Sequence, residues 1–145
     1  MGELRGYPGG CHCGALSFTF RTARAPADWT VRACQCTFCR AHDALSTSDP
    51  DGEIEFTAHR PEALQRYRFG QRTADFLLCR ECGVYLGAAM DLPEGRYGIV
   101  NVHAFKPVPE GVPAPAPMTY EGESSADRGA RRQQRWSPVK VTAGA

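Results

Sequence analysis

Apolar and polar residues alternate in short runs along most of this chain, the period of strands with one buried face. Leu16, Phe18 and Phe20 alternate with Ser17 and Thr19, and Trp29, Val31 and Ala33 with Thr30 and Arg32. Ile54 with Phe56, and Tyr67 with Phe69, mark two further short strands, and Ala74, Phe76 and Leu78 a fifth. Residues 84–90 are mostly apolar, and residues 97–105 set Asn101 and His103 on one face against Val100, Val102 and Ala104 on the other. Turn chemistry separates these runs, most strongly at Ser48-Asp49-Pro50-Asp51-Gly52 and at Gly70. The pattern predicts a mainly β chain of about seven strands. It predicts no helix in the first 106 residues beyond a helical turn or loop after Arg40.

Past residue 106 the pattern changes. Residues 106–117 hold five prolines, which favours an extended strap over a sheet strand. Ser124 stands three residues before Asp127, a capping-box-like start, and Ser137-Pro138 would stop a short helix there, although Gly129 weakens it. Trp136 is expected to dock on the core. The run Arg131-Arg132-Gln133-Gln134-Arg135 and Arg128 lie close to Glu121, Glu123 and Asp127, the mixture of a solvated helix face rather than of a nucleic-acid surface. A length of 145 residues suits one domain. Residues 1–106 carry the strands and all the cysteines, and residues 107–145 form the strap and helix packed on that same domain.

A formal net charge of +1 supplies no field to recruit nucleic acid or membrane. No run of about 18 apolar residues is present to span a bilayer, and the first residues lack the apolar core of a signal. The seven cysteines sit as two pairs and a triplet, which suits metal ligation in a reducing compartment better than a disulfide framework. The expected location is the cytoplasm. Seven thiolates on two zinc ions would make the protein mildly acidic.

The clusters carry the candidate chemistry. Cys11-His12-Cys13 and Cys79-Arg80-Glu81-Cys82 are each followed by glycine, and Cys34, Cys36 and Cys39 fall within six residues. Two zinc ions per chain could use all seven as one four-ligand and one three-ligand site. Spacing alone leaves open whether Cys11 and Cys13 pair with Cys79 and Cys82 or with part of the triplet, and the most economical division keeps the triplet whole. The two pairs then make a closed structural site that contributes to folding. The triplet makes a site with a free corner, unless His42, or a distant His12, His59 or His103, closes it. An open zinc takes a thiol and deprotonates it. Three thiolates leave the site anionic and a softer Lewis acid than three histidines, which favours thiol handling over water attack. Arg40 could anchor a substrate carboxylate and His42 could transfer a proton. Asn101 and His103 could face the metal or solvent, and Tyr85 and Phe38 read as core.

These residues resemble those of the family of glutathione-dependent formaldehyde-activating enzymes, which includes centromere protein V. The resemblance lies in Gly10-Cys11-His12-Cys13-Gly14, Cys34-Gln35-Cys36-Thr37-Phe38-Cys39-Arg40, and residues 76–83, and spans about residues 7–106. It implies a β-tent fold of small antiparallel sheets, a structural zinc on Cys11, Cys13, Cys79 and Cys82, and a catalytic zinc on Cys34, Cys36 and Cys39. The implied activity is the condensation of glutathione, a small-molecule thiol, with formaldehyde, an aldehyde electrophile, formally by a carbon-sulfur lyase. The chain departs from the family at Gln35, where a histidine is common, and at His42-Asp43, where a small residue and glycine are common. The rival reading is a zinc-stabilised binding module without catalysis.

Overall fold

The computed structural model describes residues 2–120 and 122–142, with the backbone alone for 141 and 142. Glu121, one of the acids near the tail arginines, lies outside the described residues. Strands β1 (Arg5–Gly10) and β2 (Leu16–Thr22) form a hairpin across the first cysteine pair, and β3 (Arg32–Cys34) leads into helix α1 (Thr37–His42). There follow β4 (Ser46–Thr47), β5 (Glu53–Ala58), β6 (Leu64–Tyr67), β7 (Asp75–Cys79), β8 (Tyr85–Leu92) and β9 (Gly95–Asn101). The strap ends in β10 (Ala116–Met118), followed by helix α2 (Ser125–Arg135) and β11 (Ser137–Thr142). The chain is mainly β with a short C-terminal helix, as the alternation predicts.

The strands run β1-β2-β5-β11-β9-β4-β3-β10, with β8, β7 and β6 continuing from β9 on a branch. Most pairings are antiparallel; β10 with β3 and β11 with β5 are parallel. β11 is the joint between the two halves. Ser137 and Pro138 pair with β9, and residues from Val139 onward pair with β5.

Burial along β2 alternates with period two, placing Leu16, Phe18 and Phe20 inside. The Phe18 and Phe20 rings meet Trp29 and Phe105 edge-on or tilted, with Phe20 and Trp29 centroids 5.2 Å apart and Phe18 and Phe105 also 5.2 Å apart. Such pairs add to the burial of their own area. A second cluster gathers Ala74, Ala88, Met90, Ile99 and Trp136, so Trp136 docks as expected.

Several expectations need correction. The chain is helical from Thr37 onward, because the Cys36 sulfur accepts the N–H of Cys39 and caps α1. The stretch from Trp29 forms a strand only at Arg32–Cys34, and Arg32, assigned to the polar face, is buried. β9 stops at Asn101, whose Oδ1 accepts the N–H of His103 and starts a 3-10 turn over Val102–Ala104. β1 and β11 are strands that the pattern missed. Gly6, Pro8, Gly9 and Gly10 hide the first, and Pro138 conceals the second.

The C-terminal segment is stitched to the sheet by buried polar groups. The Asp49 N–H donates to Ser137 Oγ (2.8 Å), which donates to the Asp49 carbonyl (2.8 Å). Ser48 Oγ donates to the Arg135 carbonyl (2.6 Å) and accepts from Arg32 Nη2 (2.7 Å). Ser124 Oγ accepts the Asp127 N–H at 3.1 Å, the cap its spacing predicts. No helix among the described residues is long and apolar enough to cross a membrane.

Candidate functional site

The two cysteine pairs sit on loops of the same construction. The Cys11 N–H donates to the Leu16 carbonyl and the Cys79 N–H to that of Val84, both at 3.0 Å. Gly14 and Gly83 take the left-handed conformation (φ 84° and 83°), which a side chain would strain. Both loops thereby point their sulfurs at one spot: Cys13 Sγ lies 3.6 Å from that of Cys11 and 3.6 Å from that of Cys79. Backbone N–H groups face these sulfurs, from Leu16 to Cys11 (3.3 Å) and from Glu81 and Cys82 to Cys79 (3.4 and 3.5 Å). Burial pushes the Cys79 thiol up to about 11. Burial acts the same way on Cys82, but N–H bonds from Val84 and Cys13 outweigh it and bring that thiol to about 6.

The triplet is built by β3 and α1: Cys34 ends the strand, Cys36 caps the helix, and Cys39 lies in its first turn. Within each group, Cys11, Cys13, Cys79 and Cys82 or Cys34, Cys36 and Cys39, all ligand atoms lie within 4.8 Å of one another. Both groups could hold metal ions. Hydrogen bonds from Cys34 and Cys39 hold the Cys36 thiol far below the usual range, while the same bonds push Cys34 and Cys39 up. One negative charge is welcome among the three sulfurs and a second is not, which is the electrostatics a divalent cation reverses.

Among the described residues no histidine or carboxylate joins the triplet as a fourth ligand. His59 Nε2 lies 2.9 Å from Ser17 Oγ, and His103 Nε2 3.5 Å from an Asp43 carboxylate oxygen. Asn101 is spent on the backbone, accepting from Leu45 and His103 and donating to the Tyr85 carbonyl. His42 is exposed at the end of α1, its ring 4.4 Å from that of Phe38. Phe38 in turn belongs to an aromatic group with Tyr67, Phe69, Phe76 and Tyr85. Tyr85 packs on Cys39, and its buried hydroxyl has no partner among the described residues. Burial, then the charges of Cys39, Cys36 and Cys34, push its pKa well up, so it remains a protonated phenol.

A cavity of about 580 Å³ opens beside the triplet, inside the range of about 300–1,000 Å³ typical of ligand pockets. Cys34, Cys36 and Cys39 form part of its wall, with Phe69 and Phe76 as apolar patches. Five arginines line it: Arg32, Arg40, Arg128, Arg131 and Arg132. Arg40 is exposed, and His42 is not among the lining residues. Arg128 and Arg131 both bond Glu123, and the Arg131 guanidinium lies 3.5 Å from the centre of the Tyr120 ring. Arg32 and Arg132 are each 7% exposed. Burial, and the charges of neighbouring arginines, lower the pKa of both, that of Arg132 to about 10, which leaves Arg132 charged at neutral pH.

Sequence reasoning placed Arg40 at the site but missed Arg32, Arg128, Arg131 and Arg132, while Tyr85 is core as expected. One signal was present: Arg132 is four residues before Trp136, so a helix that docks Trp136 turns Arg132 toward the core as well. In the structure its guanidinium lies 4.7 Å from the Trp136 ring centre.

Residues 6–116 match the family described as glutathione-dependent formaldehyde-activating enzyme. A crystal structure of a Rhodobacter sphaeroides protein, a structural-genomics target, is similar to the chain at 30% identity with a TM-score of 0.55. The similarity covers 71% of this chain and 91% of that one. The family match stops before α2 and β11.

Proposed function

Because the chain belongs to the family of glutathione-dependent formaldehyde-activating enzymes, we propose that it is a zinc-dependent carbon-sulfur lyase joining a small thiol, glutathione or a relative, to formaldehyde or a related electrophile. Cys11, Cys13, Cys79 and Cys82 hold a structural zinc, and Cys34, Cys36 and Cys39 a catalytic one. The donor sets fit. Zinc–sulfur bonds of about 2.3 Å in a tetrahedron separate sulfurs by about 3.8 Å, and the sulfurs of Cys11, Cys13 and Cys79 stand 3.6 Å apart along the chain of contacts. The N–H groups aimed at Cys11, Cys79 and Cys36 are the partners that thiolate ligands require.

The observation that carries the reading is the division of labour between the two groups. One has four thiols and stitches loops far apart in sequence; the other has three, no fourth ligand among the described residues, and a cavity beside it. Zinc at the triplet would supply a position where a bound thiol loses its proton and becomes nucleophilic at neutral pH. The thiol sulfur then forms a bond to the aldehyde carbon, the carbonyl π pair moves to oxygen, and that oxygen takes up a proton. Nothing is oxidised or reduced. Phe69 and Phe76 exclude water from one side of the cavity, Arg40 holds a substrate carboxylate, and His42 carries the proton between the rim and solvent. The thiol-rich sites suit a reducing cytoplasm.

The test is exchange NMR of glutathione with formaldehyde, with the zinc-loaded protein and with a folded Cys36→Ser variant. Faster exchange that disappears in the variant supports thiol-aldehyde catalysis at the triplet. Exchange no faster than without protein would replace this reading with that of a zinc-stabilised binding module.

A further inference from the structure

We propose that the cavity beside the cysteine triplet recognises carboxylates, and that Arg32 and Arg132 hold them together with the exposed Arg40, so that the thiol taken by this chain is an anionic one. The proposal rests on the thiol reading above for the word thiol, and on the arginines for the word anionic.

Arg21 pairs with Glu53 and Glu55, Arg60 with Glu81, Arg68 with Asp75, and Arg96 with Asp91, all with substantial exposure. Solvent would satisfy these charges unaided. The two buried arginines, Arg32 and Arg132, have no carboxylate partner among the described residues. This inverts the usual rule, since a buried charge costs several kcal/mol unless it is paired. Arg132 donates from Nη1 to Thr73 Oγ1 (2.8 Å) and Met90 Sδ (3.5 Å), and its Nε is a buried donor with no acceptor. Arg32 donates to Ser48 Oγ, itself locked to the Arg135 carbonyl. Both guanidiniums are therefore held in place by neutral groups with fork donors left over, the arrangement that binds carboxylates in two-pronged fashion.

Location adds the second half. Arg32 and Arg132 share their cavity with Cys34, Cys36 and Cys39, so a molecule anchored by its carboxylate has its thiol beside the triplet. Glu123 compensates Arg128 and Arg131 only in part, which leaves the wall cationic. Arg132 comes from α2, beyond the residues that match the family. The anchor therefore joins β3, inside the matched residues, to the C-terminal helix. If these arginines merely neutralised the cysteine thiolates, neutral and anionic thiols would bind alike.

The test loads the full chain with cobalt(II), whose absorption reports on the triplet, and titrates it with mercaptosuccinate, 2-mercaptoethanol and cysteamine. These thiols carry two carboxylates, no charge and an ammonium. Mercaptosuccinate should bind at least about 10-fold more tightly than mercaptoethanol, the worth of one hydrogen bond to a charged group, with cysteamine weakest. That preference should collapse in Arg132→Gln and Arg32→Gln and partly return in Arg132→Lys. Equal affinities for the three thiols, or a preference that survives both glutamine variants, overturn the proposal. Succinate has the carboxylates without the thiol and should change the fluorescence of wild-type protein but not of Trp136→Phe, since Trp136 lines the cavity. Succinate binding with a cobalt spectrum indifferent to every thiol would remove the thiol reading and leave the anion site standing. Thiol binding without regard to charge, with succinate silent, would do the reverse, and failure of both ligands to bind overturns the anion site.

Discussion

Replacing Arg132 by methionine should make the protein more stable and its cavity less useful. The guanidinium is buried against Trp136 and Met90 with no acid hydrogen-bonded to it among the described residues, and burial with the charges of Arg131 and Arg128 outweighs the attraction of Glu123. Relief of that buried charge is worth about 3–4 kcal/mol. Against it stand the bond to Thr73 Oγ1, about 1.5–2 kcal/mol for a charged donor, and the stacking on Trp136, about 1 kcal/mol. Thr73 is only half-buried, so water can replace the lost donor, and methionine fills most of the same apolar channel. The balance is a gain of about 1 kcal/mol, which moves a urea midpoint upward by about 0.5 M for a slope near 2 kcal/mol per M. The assay is urea unfolding of wild type and variant at one pH and one metal load, together with titration by mercaptosuccinate. A loss of more than about 2 kcal/mol would refute the reasoning, because an arginine whose charge is unwelcome in the fold cannot be holding the fold together.

Removing a ligand should separate the two metal groups: Cys79→Ser should lower zinc content and destroy cooperative unfolding, whereas Cys36→Ser should lower zinc content by one ion and keep the fold, as read by elemental analysis and circular dichroism. Gly87→Ala should destabilise by at least about 2 kcal/mol in urea unfolding, because its Cβ would collide with the backbone oxygen of Ile99 in the neighbouring strand. Glu123 should show its partnership through pH. Hydrogen bonds from Arg131 and Arg128 hold its carboxyl below the usual range, so its stabilisation is full above the ordinary glutamate pKa and is lost as pH falls through the lowered one. The stability gap between wild type and Glu123→Gln should therefore be widest near neutrality and close in acid; a gap that widens in acid would contradict the assignment.

Local pattern carried the sheet a long way. Leu16, Phe18 and Phe20 alternate in the sequence and are buried in β2, and Ser124 caps α2 where its spacing to Asp127 places it. Such features are legible because strand alternation and helix capping are set by neighbours within a few residues. The reading failed where a distant partner decides. β1 and β11 contain the residues that weaken strands, yet β1 pairs with β2, and β11 is held by β5, β9 and the Ser137–Asp49 bonds. Arg32 alternates into the polar face of its run, yet it is buried between β4 and β10 and bonded to Ser48, which the Arg135 carbonyl holds.

The same boundary divides the candidate site. Seven cysteines standing as two pairs and a triplet, each pair followed by a glycine able to take the left-handed turn, are legible in the chain alone, because ligand count and spacing are covalent facts. Which cysteines meet is not. The fold brings Cys11 and Cys13 to Cys79 and Cys82, sets the triplet apart, and walls the cavity beside it with arginines from both ends of the chain. These are contacts between segments tens of residues apart, chosen by how the sheet closes on its core, and no local period in a sequence records them.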